Sequence, residues 1–148
     1  MSVRVYVPSD LVALARCVEE GGIGPSPVRA HAVTEWLRAA WPEAEEDDRE
    51  YAALLAAADD AAMALATVPS EDVPPRRVVL VAEVEGVTED RESTLVSVDA
   101  AIALRLVQAV HADTEDVVLT TPDDLGDLGW FGVQEIPRLL AALPDEPR

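Results

Sequence analysis

Several residue types are missing from this chain or scarce in it. It has no lysine and no asparagine, one cysteine and six aromatic residues. Because Cys17 stands alone, an intrachain disulfide is impossible, and nothing points to an oxidising compartment. No apolar run is long enough to span a membrane, and no basic segment followed by an apolar one opens the chain. We therefore expect a soluble, cytoplasmic protein.

Basic residues are also scarce. All 11 are arginine, and they stand against 29 acids, which gives a net charge of −18. Proteins bind nucleic acid phosphates and anionic membranes through basic surfaces, so we expect neither as a direct partner. A basic protein partner, or solubility alone, fits this charge better. The bias towards arginine without lysine or asparagine indicates a GC-rich bacterial genome.

One run of β-branched residues is typical of a buried strand. Residues 77–84 are dense in valine, follow Pro74 and Pro75, and end before Gly86. The run is too short for a core helix, and strands buried on both faces have such continuous apolar sequences. We predict that it is the central strand, against which the other elements pack.

Other segments have periodicities of their own. Val3, Val5 and Val7 alternate with other residues and predict a first strand. Residues 48–67 predict a helix whose apolar face comprises Tyr51, Leu54, Leu55, Ala58, Ala62 and Leu65. Shorter patterns predict helices at 11–20, 35–41, 114–119 and 137–143, and strands at 28–33, 94–98 and 130–135. Residues 100–111 predict a helical turn at 100–104, then a short helix and a strand.

These elements predict one α+β domain of ordinary size. We expect a mixed, mostly antiparallel sheet of five or six strands with helices packed on at least one face, and the ferredoxin-like fold is one form of this architecture. The domain is expected to cover residues 1–143. Residues 144–148 are expected to form a disordered tail.

Three segments resemble a known family. They are residues 3–8, 109–113 and 130–136, which read Val-Arg-Val-Tyr-Val-Pro, Ala-Val-His-Ala-Asp and Trp-Phe-Gly-Val-Gln-Glu-Ile. The resemblance is to a family of short, acidic, alanine-rich actinobacterial proteins of unknown function, and it spans nearly the whole chain. It implies a single domain in a bacterial cytoplasm. It brings no activity with it.

The strongest candidate for chemistry is the pair His111 and Asp113. Residues two apart in a strand share a face, and an aspartate can orient an imidazole. With Glu115, or with His31 on an adjacent strand, the pair would form a general base or part of a metal site. The simpler interpretation, which we favour, is a histidine at a strand end that is hydrogen-bonded to Asp113.

Other reactive side chains have simpler explanations. Glu83 and Glu85, at the end of the predicted central strand, would act as acid and base only if burial raised a pKa. Cys17 falls near the acidic end of a helix, which disfavours a thiolate, and is expected to be a small buried hydrophobe. Six carboxylates between residues 43 and 50 fit a solvated segment before the next helix, or a docking site for a basic partner.

An aromatic segment near the C terminus is the candidate interaction surface. It comprises Trp130, Phe131, Gln134 and Glu135, and it follows glycine-rich residues 126–129. This glycine-rich stretch lacks the Gly-Lys-Ser/Thr ending of a P-loop, so we expect no cofactor there or elsewhere. We interpret it as a turn that lets the two aromatic residues pack on the sheet or contact a partner.

The sequence predicts a non-catalytic interaction or regulatory protein whose acidic surface meets a basic protein partner. A homodimer through a sheet edge or the tryptophan-bearing segments is a further expectation. The alternative is a small hydrolase or metal-dependent enzyme that uses His31, His111 and Asp113. A DNA mimic with carboxylates at phosphate-like spacing is a third interpretation. If His31, His111 and Asp113 met in one pocket, the enzyme would be favoured over the interaction protein.

Overall fold

The structure, a computed structural model, describes residues 2–67, 69–90, 92–119 and 125–143. Its helices are α1 (Leu11–Glu20), α2 (Glu35–Ala40), α3 (Glu46–Thr67) and α4 (Ile136–Leu140). Its strands are β1 (Val3–Ser9), β2 (Gly22–Ile23), β3 (Val28–His31), β4 (Val78–Val84), β5 (Val87–Glu89), β6 (Leu95–Val98), β7 (Ile102–Ala103), β8 (Val107–Ala112) and β9 (Gly129–Gly132). Single 3₁₀ turns cover Leu104–Leu106 and Val133–Glu135.

Seven strands form one antiparallel sheet in the order β5-β6-β3-β1-β4-β8-β9, and β2 and β7 form a separate ribbon. β4 lies inside the sheet between β1 and β8, as predicted for residues 77–84. The α+β class and the antiparallel sheet are confirmed. The sheet has seven strands, where we predicted five or six, because residues 87–89, for which we predicted no strand, pair with β6 as β5. The ferredoxin-like form stays a prediction.

Helices cover both faces of the sheet. Because side chains alternate along a strand, Val5 and Leu80 point towards α1 and α4, whereas Tyr6 and Val79 point towards α3. The sheet is therefore the middle layer of the domain. In the part of the chain that the structure describes, no helix combines the length and hydrophobicity needed to cross a bilayer.

The ends of the helices follow their capping residues. Asp10 Oδ1 accepts a hydrogen bond from the Ala13 N–H at 2.8 Å, and Thr34 Oγ1 accepts one from the Leu37 N–H at 3.3 Å. α1 ends at Gly21, whose φ of 80° is in the left-handed region that glycine tolerates best. Both helices begin where the sequence predicted.

The buried face of α3 matches the predicted one only in part, with Ala58, Ala62 and Leu65 buried as expected. Tyr51 and Leu55 are 51% and 44% exposed, and the contact with the sheet is made mostly by small residues. The buried residues of the helix are Ala53, Ala57, Ala58, Ala61, Ala62 and Leu65. Alanine lets the helix axis lie close to a sheet surface that valines already fill, so the larger side chains turn towards solvent.

Two other local predictions were wrong. Residues 114–119 form no helix, since the Asp113 N–H donates to the Arg77 carbonyl and the Val117 N–H to the Pro75 carbonyl, which draws the segment alongside residues 75–77. The turn predicted at 100–104 begins only at Leu104, because Ile102 pairs with Ile23 in the small ribbon. The expected tail, residues 144–148, lies outside the described residues.

Candidate functional site: an acid-lined cleft

A cleft opens at the end of the sheet where β1 begins and β4 ends. Its volume is about 410 Å³. β1 and β3 pair at Tyr6 and His31, and beyond this pair Val3 and Val33 are both part of the cleft lining. We call it the acid-lined cleft. Its charged residues are Arg4, Glu35, Arg38, Glu46, Glu50, Glu83 and Glu89.

Two arginines of the chain already occupy part of this cleft. Arg38 donates from Nη1 and Nη2 to the two carboxylate oxygens of Glu46, each at 2.9 Å, in the forked geometry of a strong guanidinium contact. Arg4 donates to Glu83 at 3.3 Å and to Glu50 at 3.4 Å. The five glutamates still exceed the two arginines, so the lining has a net formal charge of −3.

Glu35 and Glu89 lie on one side of this lining. The Glu35 N–H, in the first turn of α2, donates to Glu89 Oε1 at 3.1 Å. Both residues are exposed. Their two carboxylates therefore add charge to a rim that solvent reaches.

Tyr6 lies next to the cleft but supplies no proton chemistry at neutral pH. Its side chain is buried and faces α3. Burial raises the pKa of Tyr6 to about 12, and the negative charge of Glu50 raises it too. A general acid or base works best with a pKa near the operating pH, so the phenol acts in packing.

His31 is tied to two other elements. Its Nε2 lies 2.5 Å from Asp60 Oδ2 on α3, and its Nδ1 lies 2.7 Å from Thr94 Oγ1. A carboxylate only accepts, so in the neutral ring Nε2 donates to Asp60 and Nδ1 accepts from the Thr94 hydroxyl. The ring thereby links β3, α3 and the segment before β6.

Hydroxyl, imidazole and carboxylate also occur in this order in nucleophilic hydrolases. Acyl transfer further requires N–H donors that are free to bind an oxyanion. Beside Thr94, the Leu95 N–H donates to Ser93 Oγ at 2.9 Å, and the Ala32 N–H donates to the Thr94 carbonyl at 2.9 Å. These donors are engaged, which favours a structural role for the linkage.

The structure does not bring His31 and His111 together. β1 and β4 separate their strands, so three strand spacings, about 14 Å, lie between them. They are therefore not on adjacent strands, as the metal site would require. His111 is half-buried, and burial lowers its pKa, which favours the neutral ring. Among the described residues no group of three or more histidine, cysteine, aspartate or glutamate side chains could hold a metal ion.

Asp113 is bound by an arginine that we did not single out from the sequence. Arg77 donates from Nε to Asp113 Oδ2 at 2.9 Å and from Nη2 to Oδ1 at 2.7 Å, and its backbone N–H also donates to Oδ2 at 2.8 Å. Arg77 Nη2 further donates to the Gly126 carbonyl at 2.6 Å. Both side chains are buried. The pair of Arg77 and Asp113 thus joins the start of β4, the end of β8 and the segment before β9. Asp113 does not orient an imidazole.

The remaining predicted residues lie at separate places. Glu83 is part of the cleft and pairs with Arg4, whereas Glu85 is exposed. Cys17 is in α1 and packs, partly buried, against the core. Burial raises the pKa of its thiol, and Glu20 raises it further, which disfavours the thiolate.

The aromatic segment lies at an edge of the sheet. Trp130 and Phe131 are in β9, the last strand in the sheet order, and Trp130 is 61% exposed. Phe131 packs partly buried against the core. Gln134 is exposed, and Glu135 Oε1 accepts a hydrogen bond from the Gly132 N–H at 3.1 Å. The segment is thus open to a partner on one side.

Sequence reasoning missed the cleft because its acids come from four separate segments. Glu46 and Glu50 belong to the acidic run that we noticed, but Glu35, Glu83 and Glu89 reach them only through the sheet topology. The Arg77–Asp113 pair was missed for the same reason, since 36 positions separate its members. The position of Arg77 directly before a valine-rich strand was the one available signal.

Taken together, these features define a small α+β domain with an acid-lined cleft at one end of its sheet and an exposed aromatic edge strand. The chain belongs to a family of unknown function (DUF6912), whose model matches residues 3–140. No curated protein and no solved structure matches it.

Proposed function

We propose that this protein is a non-catalytic interaction module of the bacterial cytoplasm, and that its acid-lined cleft binds an arginine-bearing segment of a basic protein partner. The observation that carries the proposal is the bidentate contact between Arg38 and Glu46 inside the cleft. It supports the idea that the concavity accommodates a guanidinium group, which a partner could supply from outside. The actinobacterial origin suggested by the family resemblance is part of the same proposal.

Charge and shape favour arginine as the recognised group. The lining keeps a net formal charge of −3 after its internal pairs, and the whole chain carries −18. Arginine presents five donors in a planar fork that matches carboxylates, and its weak hydration suits a partly enclosed site. Val33, Val87 and Val96 provide an apolar wall for its methylene groups.

The enzyme alternative has less support. It depended on His31, His111 and Asp113, but β1 and β4 separate His31 from the other two residues, and Asp113 is bound by Arg77. The cleft offers carboxylates and arginines but no histidine or cysteine among its lining residues. Binding is therefore the function that its chemistry fits best.

Calorimetric titration with a capped peptide of alternating arginine and valine tests the proposal. We expect Glu35→Gln/Glu89→Gln to weaken binding by about tenfold, the equivalent of about 1.4 kcal/mol, because two rim charges are lost while hydrogen-bonding capacity is kept. The matched control, Glu19→Gln/Glu71→Gln, removes the same charge from exposed sites that do not line the cleft. We expect it to change the affinity less than about twofold.

A second control separates recognition from general attraction. A peptide with neutral citrulline in place of arginine keeps the shape of the side chain and loses its charge, and it should not bind. Equal losses of affinity in the two double variants would mean that the peptide binds through the net charge of the protein alone. That result would overturn the cleft as the binding site.

A further inference from the structure

The two edges of the sheet are protected to different degrees. β5 contains Glu89 and is followed by Asp90, whereas β9, Gly-Trp-Phe-Gly, carries no charge and no proline. Edge strands expose unpaired backbone groups, and charged residues or proline normally keep other strands from pairing with them. β9 lacks these devices and also exposes 61% of Trp130. This edge is thus suited to pairing with another strand.

The backbone of β9 presents its hydrogen-bonding groups to the open side. The Gly132 N–H donates to Glu135 Oε1 and not to β8. Groups on alternate residues of a strand point the same way, so the N–H and C=O of Trp130 also point away from β8. Among the described residues no strand lies beyond β9.

We propose that β9 pairs antiparallel with β9 of a second copy of this chain, with the two-fold axis at Trp130. In this arrangement each Trp130 N–H donates to the Trp130 carbonyl of the other copy, so a single residue supplies a self-complementary pair of hydrogen bonds. The two indole rings meet on one face of the joined sheet.

Charge favours a second copy in this antiparallel arrangement. Pairing about Trp130 sets residue 127 of one copy against residue 133 of the other, so Asp127 faces Val133 and not another acid. His111, the cross-strand neighbour of Trp130, adds no charge when neutral. The strand at the centre of the interface thus contains no charged residue, and the nearest carboxylate of known position, that of Glu135, is hydrogen-bonded to the Gly132 N–H.

The strand edge continues into further apolar surface. Val133 follows β9 directly and lines a groove of about 600 Å³ between α1 and α4, together with Val18, Leu104, Ile136, Pro137, Leu140 and Ala141. A stable interface buries roughly 1,000 Å² or more, which is more than a four-residue strand and one indole supply. Contact of the groove with the second copy would provide the remainder.

The two copies, each with a net charge of −18, repel each other at long range. Raising the salt from about 0.1 M to about 1 M shortens the Debye length from about 10 Å to about 3 Å and weakens this repulsion. Dimerisation should therefore strengthen with salt. Binding of an arginine peptide to the acid-lined cleft should weaken over the same range of salt. Because the two salt dependences have opposite signs, either proposal can fail without the other.

Sedimentation velocity on the full chain tests the dimer. We expect a concentration-dependent dimer that tightens with salt, and a dissociation constant raised about 30-fold or more by Trp130→Lys, as for an aromatic interface anchor. The control is Trp36→Lys on α2, which replaces another exposed tryptophan by the same residue. Thermal melting of both variants checks that they fold.

Any of three results would overturn the proposal. The first is a wild-type chain that stays monomeric at about 1 M salt and about 1 mM protein, where even weak specific dimers form. The second is an equal weakening of the dimer by Trp36→Lys and Trp130→Lys, which would place the contact elsewhere. The third is a folded Trp130→Lys variant that still dimerises like the wild type.

Discussion

At the scale of single residues, Arg77 and Asp113 form the most deeply buried ion pair in the described part of the chain. The two side chains are 7% and 5% exposed. Their neighbours in sequence, Arg76 and Asp116, form a second pair at 2.9 Å in which Asp116 is 63% exposed. The chain thus contains a buried and an exposed ion pair of the same chemistry side by side.

The first prediction compares these two pairs. Asp113→Asn leaves the buried Arg77 charge unmatched and should lower the free energy of unfolding by about 3–5 kcal/mol. Asp116→Asn removes the partner of an arginine that solvent can reach and should cost no more than about 1 kcal/mol. Urea denaturation at neutral pH measures both. Similar losses in the two variants would show that Arg77 is not buried as described.

The sequence predicted individual residues less well than patterns. His111 and Asp113 share a strand end, which suggested a partnership, yet Asp113 is held by Arg77 from the neighbouring strand. A sequence motif reports spacing along one segment only. Contacts between segments depend on strand order, which periodicity does not contain.

At the scale of elements, most helices and strands were predictable because local periodicity and capping decide them. β4 has its predicted place inside the sheet, and α1 and α2 begin at Asp10 and Thr34 as expected. The face of α3 was only partly predictable from hydrophobicity, which identified Ala58, Ala62 and Leu65 but not Ala53, Ala57 and Ala61. The helix can lie close to the valine-covered sheet only where its side chains are small, as in alanine. Hydrophobicity alone would place the larger Tyr51 and Leu55 in the buried face, but both are exposed.

A prediction follows from the close contact of α3 with the sheet. Ala57 is fully buried against residues of β1 and β4, so Ala57→Leu should overpack the layer and cost about 1–3 kcal/mol of unfolding free energy. Ala64→Leu, on the exposed side of the same helix, should change it by less than about 0.5 kcal/mol. Thermal unfolding of the two variants provides the comparison. A tolerated leucine at 57 would mean that the helix and sheet are not in close contact.

At the scale of the whole molecule, the acidic residues are unevenly distributed. Glutamates from four elements meet in one cleft, while β9 itself contains no charged residue. Composition predicted an acidic surface and a basic partner. The position of the cleft, however, depends on how the fold places one end of each of β1, β3, β4 and β5 at the same side of the sheet. The fold thus separates a surface suited to opposite charge from one suited to a like-charged copy.

The location of arginine binding is the most direct test of this account. In ¹⁵N-labelled full-length protein titrated with the arginine–valine peptide, we expect the largest amide shifts at the residues around the cleft, including Val3, Val33, Glu35 and Glu89. The same titration of Glu35→Gln/Glu89→Gln should show these shifts only at higher peptide concentration. Shifts spread evenly over the acidic surface, or centred on α1 and α4, would contradict the proposed site.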